Sequence, residues 1–191
     1  MKKNNKVLAF YFAPDDGKLR YGDGRKVEVG VTHKVEGKLE LCAHGLYAST
    51  KVSDALKYAP GRTLYLVELS GDVFHGDDKL CASERTYLKC FDAEALLREF
   101  ARKQALINID KIRPYCSEKD FSVIKTYLEH GRKEDRSAAR FAAWSAARSA
   151  ARSAAESAVW SAAESAARSA ARSAANKMLT AMIREATGWE F

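Results

Sequence analysis

Few residues of this 191-residue chain stand at spacings that do chemistry. Cys42 and His44 lie two apart, a spacing that suits a thiol nucleophile and its base or two metal ligands. A strand cysteine followed by a turn histidine accounts for the same pair. Gly71-Asp72 and Gly76-Asp77-Asp78 set carboxylates on glycines, where oxygen ligands for a hard cation occur, and acids beside glycine are equally plain turn residues. The remaining cysteines, 81, 90 and 116, complete no Cys-x-x-Cys pair, and no histidine has finger spacing, so no structural zinc centre is expected. Gly22-Asp-Gly24 is too short for a phosphate loop. Stacking chemistry is better supplied. Arg140, Trp144 and Arg148 are four apart, so a helix brings cation and ring together, and Trp160 falls between Glu156 and Glu164.

These groups need elements to hold them. Val7 to Ala13 is rich in β-formers and stops at Pro14-Asp-Asp-Gly17. Arg25 to Val31 and Thr32 to Val35 alternate like short strands. Leu39 to Cys42 and His44 to Ser49 follow. Val52 to Ala59 reads as a short helix, capped by Thr50 or Ser53 and ended by Pro60-Gly61. Thr63 to Leu69 is the clearest strand, with a turn expected at Ser70-Gly-Asp and another at His75-Gly-Asp-Asp78. Lys79 to Cys90 is a further strand. Asp92 reads as the cap of a helix reaching Ile107, Pro114 as a break, and Asp120 to His130 as a second amphipathic helix ended by Gly131. The fold expected is α+β, with a small mixed or antiparallel sheet and packed helices over 1–131, then a helical extension over 132–191.

That extension repeats Ser-Ala-Ala-Arg/Glu from Ser137 to Asn176, without Gly or Pro. Alanine, Arg and Glu are strong helix formers, so 134–186 reads as one long helix or a helical hairpin. A helix turns about 100° per residue, so a four-residue step overshoots a full turn by about 40°. The alanine strip therefore winds around the helix and cannot face one straight neighbour throughout. Its end, Met178-Leu-Thr-Ala-Met-Ile183 with Trp189 and Phe191, is amphipathic and reads as an anchor. Trp144, Trp160, Arg148, Met178, Met182 and Trp189 are the candidate interaction residues. A protein partner or self-association through the helix is expected.

The net charge of +7 and pI of about 9.2 are compatible with an acidic partner or nucleic acid, and also with a soluble protein held off its isoelectric point. Met1-Lys-Lys-Asn-Asn5 lacks the look of a signal peptide, and no apolar stretch reaches membrane-spanning length. An intracellular protein with reduced thiols and no membrane association is expected.

The order of motifs adds two resemblances. Gly45-Leu-Tyr-Ala-Ser49, a short helix, and Leu64 to Leu69 ending in Ser-Gly-Asp72 resemble the middle of the ADP-ribosyltransferase fold. There a strand-end tyrosine stacks on nicotinamide, an Arg or His of the first strand holds the NAD ribose, and a later glutamate orients the reaction. The resemblance implies Tyr47 and Ser49 as site residues, Glu84 as the glutamate, and NAD as cofactor. The first strand offers Tyr11 but no Arg or His.

Gly45-Leu-Tyr-Ala-Ser49, Asp54-Ala-Leu-Lys-Tyr-Ala-Pro-Gly61, Val67-Glu-Leu-Ser-Gly71 and Asp77-Asp-Lys79, followed by the alanine-rich tail, also resemble a group of uncharacterised phage and prophage proteins. In that group the position of Tyr47 is usually histidine. This resemblance implies a phage origin and the cytoplasm of an infected or lysogenic bacterium. The function expected is that of a phage accessory protein acting by binding a host or phage macromolecule, for example to block a host function or defence system, with no cofactor. NAD-dependent ADP-ribosyl transfer and nucleic-acid binding through a basic surface are the alternatives.

Overall fold

Strand-forming and helix-forming sequence separate along the chain, and the elements follow. A computed structural model describes residues 6–41, 43–154 and 161–191. The strands are β1 (Val7–Ala13), β2 (Thr32–Lys34), β3 (Leu46–Ala48), β4 (Thr63–His75) and β5 (Leu80–Asp92). The helices are α1 (Val52–Lys57), α2 (Glu94–Ile107), α3 (Glu118–His130), α4 (Arg136–Ala154) and α5 (Ser161–Thr187), with a 3-10 turn at Ile109–Tyr115. The fold is α+β with a five-stranded antiparallel sheet ordered β1-β4-β5-β2, in which β3 also pairs β5. Phe10 of β1 exchanges backbone hydrogen bonds of 2.8 and 3.0 Å with Ser49, so the path β1-β4-β5-β3 returns to β1.

Three local expectations change. The turn at Ser70-Gly-Asp is a bulge: β4 runs through it, and the register slips between Ser70 and Val73. Gly71, at φ +73°, absorbs the extra residues, as glycine does in bulges. Arg25 to Val31 forms no strand: Lys26 bridges to Lys18, and at the far end the Gly30 N–H donates to the Tyr87 carbonyl at 2.8 Å while the Val31 carbonyl accepts from the Tyr87 N–H at 3.0 Å. The cap of α1 is neither Thr50 nor Ser53. The Ser53 backbone N–H donates to Asn176 Oδ1 at 3.2 Å, so a residue 123 positions away closes the helix start.

The chain forms two compact units, residues 1–95 with 175–191, and residues 96–174. In the first, β4 and β5 carry the core: Leu64, Val67, Leu69 and Tyr87 are fully buried, with Ala9 and Ala48 packed among them. The last residues of the chain complete this unit. Leu179 and Ile183 are fully buried and Trp189 nearly so, while Met178 and Met182 are half-buried. Phe191 meets Phe10 edge-to-face at 4.8 Å. The amphipathic end is thus an anchor for this chain's own sheet unit.

In the second unit Ser117 caps α3 by accepting from the Asp120 N–H at 3.1 Å, and Gly131 ends it in the left-handed region. Ile109, Phe121, Ile124 and Ala142 form its core. The repeat shows its drift here. The buried alanine of α4 is the third residue of its repeat at Ala139, then the second at Ala142 and Ala146. Each four-residue step overshoots, so the buried position falls back by one. Residues 155–160, with Trp160, lie outside the described residues, and with them the choice between one long helix and a hairpin over 134–186; so does the side chain of Arg148.

Replacing Leu179 by Ala should cost about 2–5 kcal/mol, the range for emptying a fully buried leucine site, whereas the exposed Glu185→Ala should stay within about 0.5 kcal/mol. Urea denaturation followed by circular dichroism measures both.

Candidate functional site

The site starts with one residue of β5. Arg85 pairs His33 across β2 and Leu69 across β4, which puts its side chain on the core face of the sheet. It is only 2% exposed. Burying a guanidinium costs several kcal/mol unless partners replace water, and here the partners are neutral. Its Nε and one terminal nitrogen donate to the Tyr87 hydroxyl at 3.1 and 2.7 Å. The other terminal nitrogen donates to the Tyr47 carbonyl at 2.5 Å. Its plane stacks on the Tyr11 ring, 3.8 Å from the centroid. Of the five N–H bonds of a guanidinium, these contacts use three. Among the described residues no carboxylate pairs with it.

The Tyr87 hydroxyl takes two N–H bonds from Arg85, so its own proton goes to His33 Nδ1, 3.0 Å away. That bond needs a neutral imidazole. Burial holds His33 below its usual 6.5, and the charges of Arg25 and Arg85 push the same way. Burial also raises the phenols of Tyr11 and Tyr87 above their usual 10.0, against the opposing pull of Arg85. The network is therefore cationic at Arg85 and neutral elsewhere at neutral pH.

Arg85 forms part of the wall of a cavity of about 730 Å³. Tyr11, Tyr21, Tyr47 and Tyr58 line it with rings, and Arg20 and Lys79 add charge. Lys79 Nζ lies 4.6 Å from the Tyr58 centroid and 5.8 Å from that of Tyr47, between the two rings. Among the described residues the one carboxylate on the wall is Asp23, and both its oxygens take guanidinium N–H bonds of 2.6 Å from Arg25. The wall is thus net positive and aromatic. Tyr21 is 98% exposed at φ +60°, a strained conformation for a bulky residue.

Two motif glycines bring the backbone in close. A Cβ on Gly45 (φ +140°) would sit 2.2 Å from Cys81 Sγ, and one on Gly61 would sit 2.6 Å from the Ala13 carbonyl. Both positions therefore exclude a side chain, which explains the glycines of Gly-Leu-Tyr-Ala-Ser and Tyr-Ala-Pro-Gly.

Tyr47 and Ser49 both line this cavity. Glu84 does not. One residue from Arg85 on an extended strand, it points to the opposite face, where Lys34 Nζ meets it at 2.8 Å and the Ser70 hydroxyl at 3.1 Å. The Lys34 contact, helped by Ser70, lowers its carboxyl below the usual range. The structure joins Tyr47 with Ser49 and leaves Glu84 apart. His44 lies on the cavity wall with Nε2 on the Glu36 carbonyl at 2.7 Å, whereas Cys42 lies outside the described residues. Asp78 is occupied by the Tyr58 hydroxyl at 2.8 Å and Lys57 at 3.2 Å. No group of three metal-ligating side chains occurs among the described residues, and no described helix is long and apolar enough to cross a membrane. Sequence reasoning missed Arg85 itself. Its signal was there, in an Arg and a Tyr two apart on a strand.

Residues 17–99, less than half of the chain, match a family described as a domain of unknown function (DUF7666). That span holds the cavity residues from Leu19 to Arg85 and leaves out β1 and the repeat. No curated protein and no solved structure matches the chain.

His33 fixes a pH dependence. Its folded value lies below the unfolded 6.5, so between the two the unfolded chain binds a proton that the folded chain refuses. Stability should be full above 6.5 and fall as the pH is lowered through it. The shifted carboxylates of Asp23, Asp78 and Glu84 titrate lower and the shifted phenols higher, so they leave this window clear. Melting temperatures from pH 7.5 to 5 should drop in the wild type and drop less in His33→Gln, whose amide oxygen still accepts from Tyr87.

Proposed function

We propose that the sheet unit is a binding module that captures an anionic, ring-bearing ligand in the cavity beside Arg85. The observation that carries this reading is the buried guanidinium, which among the described residues meets no carboxylate and keeps two N–H bonds unused, in a cavity whose one described acid is neutralised by Arg25. An incoming anion supplies the missing countercharge, and charge-assisted hydrogen bonds in a desolvated site are the strong ones. The tyrosines of the wall suit a flat ring. Capture of such a ligand, free or at the end of a larger molecule, is how a phage accessory protein of this design would act on a host process.

ADP-ribosyl transfer from NAD is the second reading, favoured by the placement of Tyr47 and Ser49 on the wall. The cation absent from the first strand is brought to it from β5, as Arg85 over the Tyr11 ring. Against turnover stands Glu84, on the other face of the sheet.

Titration calorimetry with inorganic phosphate, ATP and NAD tests both readings. Binding of at least one should weaken by about tenfold or more in Arg20→Ala and Lys79→Ala, the scale of a lost charge-assisted contact, with NAD left intact. Nicotinamide release that Glu84→Gln abolishes would favour the transferase instead. Absence of binding by all three probes would remove the cavity reading.

A further inference from the structure

The net charge is unevenly spread. Residues 96–174 hold 15 Lys and Arg against 9 Asp and Glu, and the other unit holds 17 against 16. Six of the seven net positive charges therefore belong to the helical unit, which the cavity does not explain. Within that unit α4 concentrates them, with four arginines over Arg136–Ala154 and no acid.

The same helix exposes two large rings, Phe141 at 72% and Trp144 at 57%. At about 100° per residue, Arg140, Trp144 and Phe141 fall within about 100° of one another around α4. The buried alanines Ala139, Ala142 and Ala146 fall on the opposite side. The inner face is thus committed to Phe121 and Ile124 of α3, and the outer face interleaves cations with rings.

We infer that this outer face of α4 binds single-stranded nucleic acid, with Phe141 and Trp144 as stacking platforms and Arg136 and Arg140 on the phosphates. Single strands expose the faces of their bases, and proteins that hold them without reading sequence pair a basic track with exposed rings. A duplex hides those faces. A lipid surface is the weaker fit, because membrane-lying helices bury a broad apolar face. Here two rings lie outward beside Arg140, and the exposed alanines Ala138, Ala143 and Ala147 add little apolar area.

Fluorescence anisotropy of the full-length protein with a labelled 20-mer of thymidine tests this. Binding is expected at 50 mM NaCl and should weaken with salt by a log–log slope of about −0.7 per phosphate contacted. Phe141→Ala with Trp144→Ala should weaken it by about tenfold or more, leaving the slope and the helical circular dichroism unchanged. Trp144→Phe should keep most of the affinity, and Arg136→Gln with Arg140→Gln should flatten the slope. No binding at 50 mM NaCl, equal binding by the double alanine variant, or binding only to vesicles of phosphatidylcholine and phosphatidylserine would overturn the inference. None of the residues changed lines the Arg85 cavity.

Discussion

The sheet unit depends on how one buried cation is satisfied. Arg85 projects into the core face of a sheet whose neighbours are Ala9, Tyr65, Val67 and Leu69. It is tolerated there because Tyr87, Tyr47 and Tyr11 supply a hydroxyl, a carbonyl and a π-face. Each contact ties a different element to β5. Tyr11 belongs to β1, Tyr47 to β3, and His33, reached through Tyr87, to β2. The residue that gives the cavity its charge therefore also joins the elements of its wall. Loss of the guanidinium would remove two charge-assisted bonds from the Tyr87 hydroxyl, leaving the one to His33, and one from the Tyr47 carbonyl, at about 1–3 kcal/mol for each bond. Function at this site is better probed from Arg20 and Lys79.

Much of the fold was legible because its signals are local. β1, the core of β4, β5 and the bodies of α2 and α3 follow from β-former runs, helical spacing and turn glycines. Bounds failed where a distant residue decides them. Ser70-Gly71-Asp72 has turn composition, yet β5 continues alongside and Ser83 Oγ accepts the Asp72 N–H at 2.9 Å, so the strand goes on. The cap of α1 could not be read near Val52, because Asn176 provides it.

The site was legible only in part, for the same reason. Tyr47 and Ser49 could be picked out by motif, since a strand end beside a glycine places its side chains in a predictable way. Arg85 sits in Ser-Glu-Arg-Thr-Tyr, polar enough to pass for an exposed strand. Its burial depends on which face β4 and β2 cover. Alternation then settles Glu84 as well. With Arg85 inward, its neighbour faces Lys34 and Ser70, whatever role a motif would assign to it.

The alanine repeat shows how weak an address a helix can carry. Alanine favours the helical state but buries too little area to fix where the helix lies. At about 25 cal/mol per Å² a buried methyl contributes a fraction of what a leucine does. The drift from Ala139 to Ala142 and Ala146 shows the helix following its neighbour's face in preference to its own repeat. Larger side chains supply the fixing energy: Phe121 and Ile124 under α4, and Leu179, Ile183 and Trp189 at the chain's end. A repeat of this kind is free to present whatever its fourth residues carry. In α4 two of them are Arg140 and Trp144, both exposed, so the positions that the packing on α3 leaves outward are the ones that carry a cation and a ring.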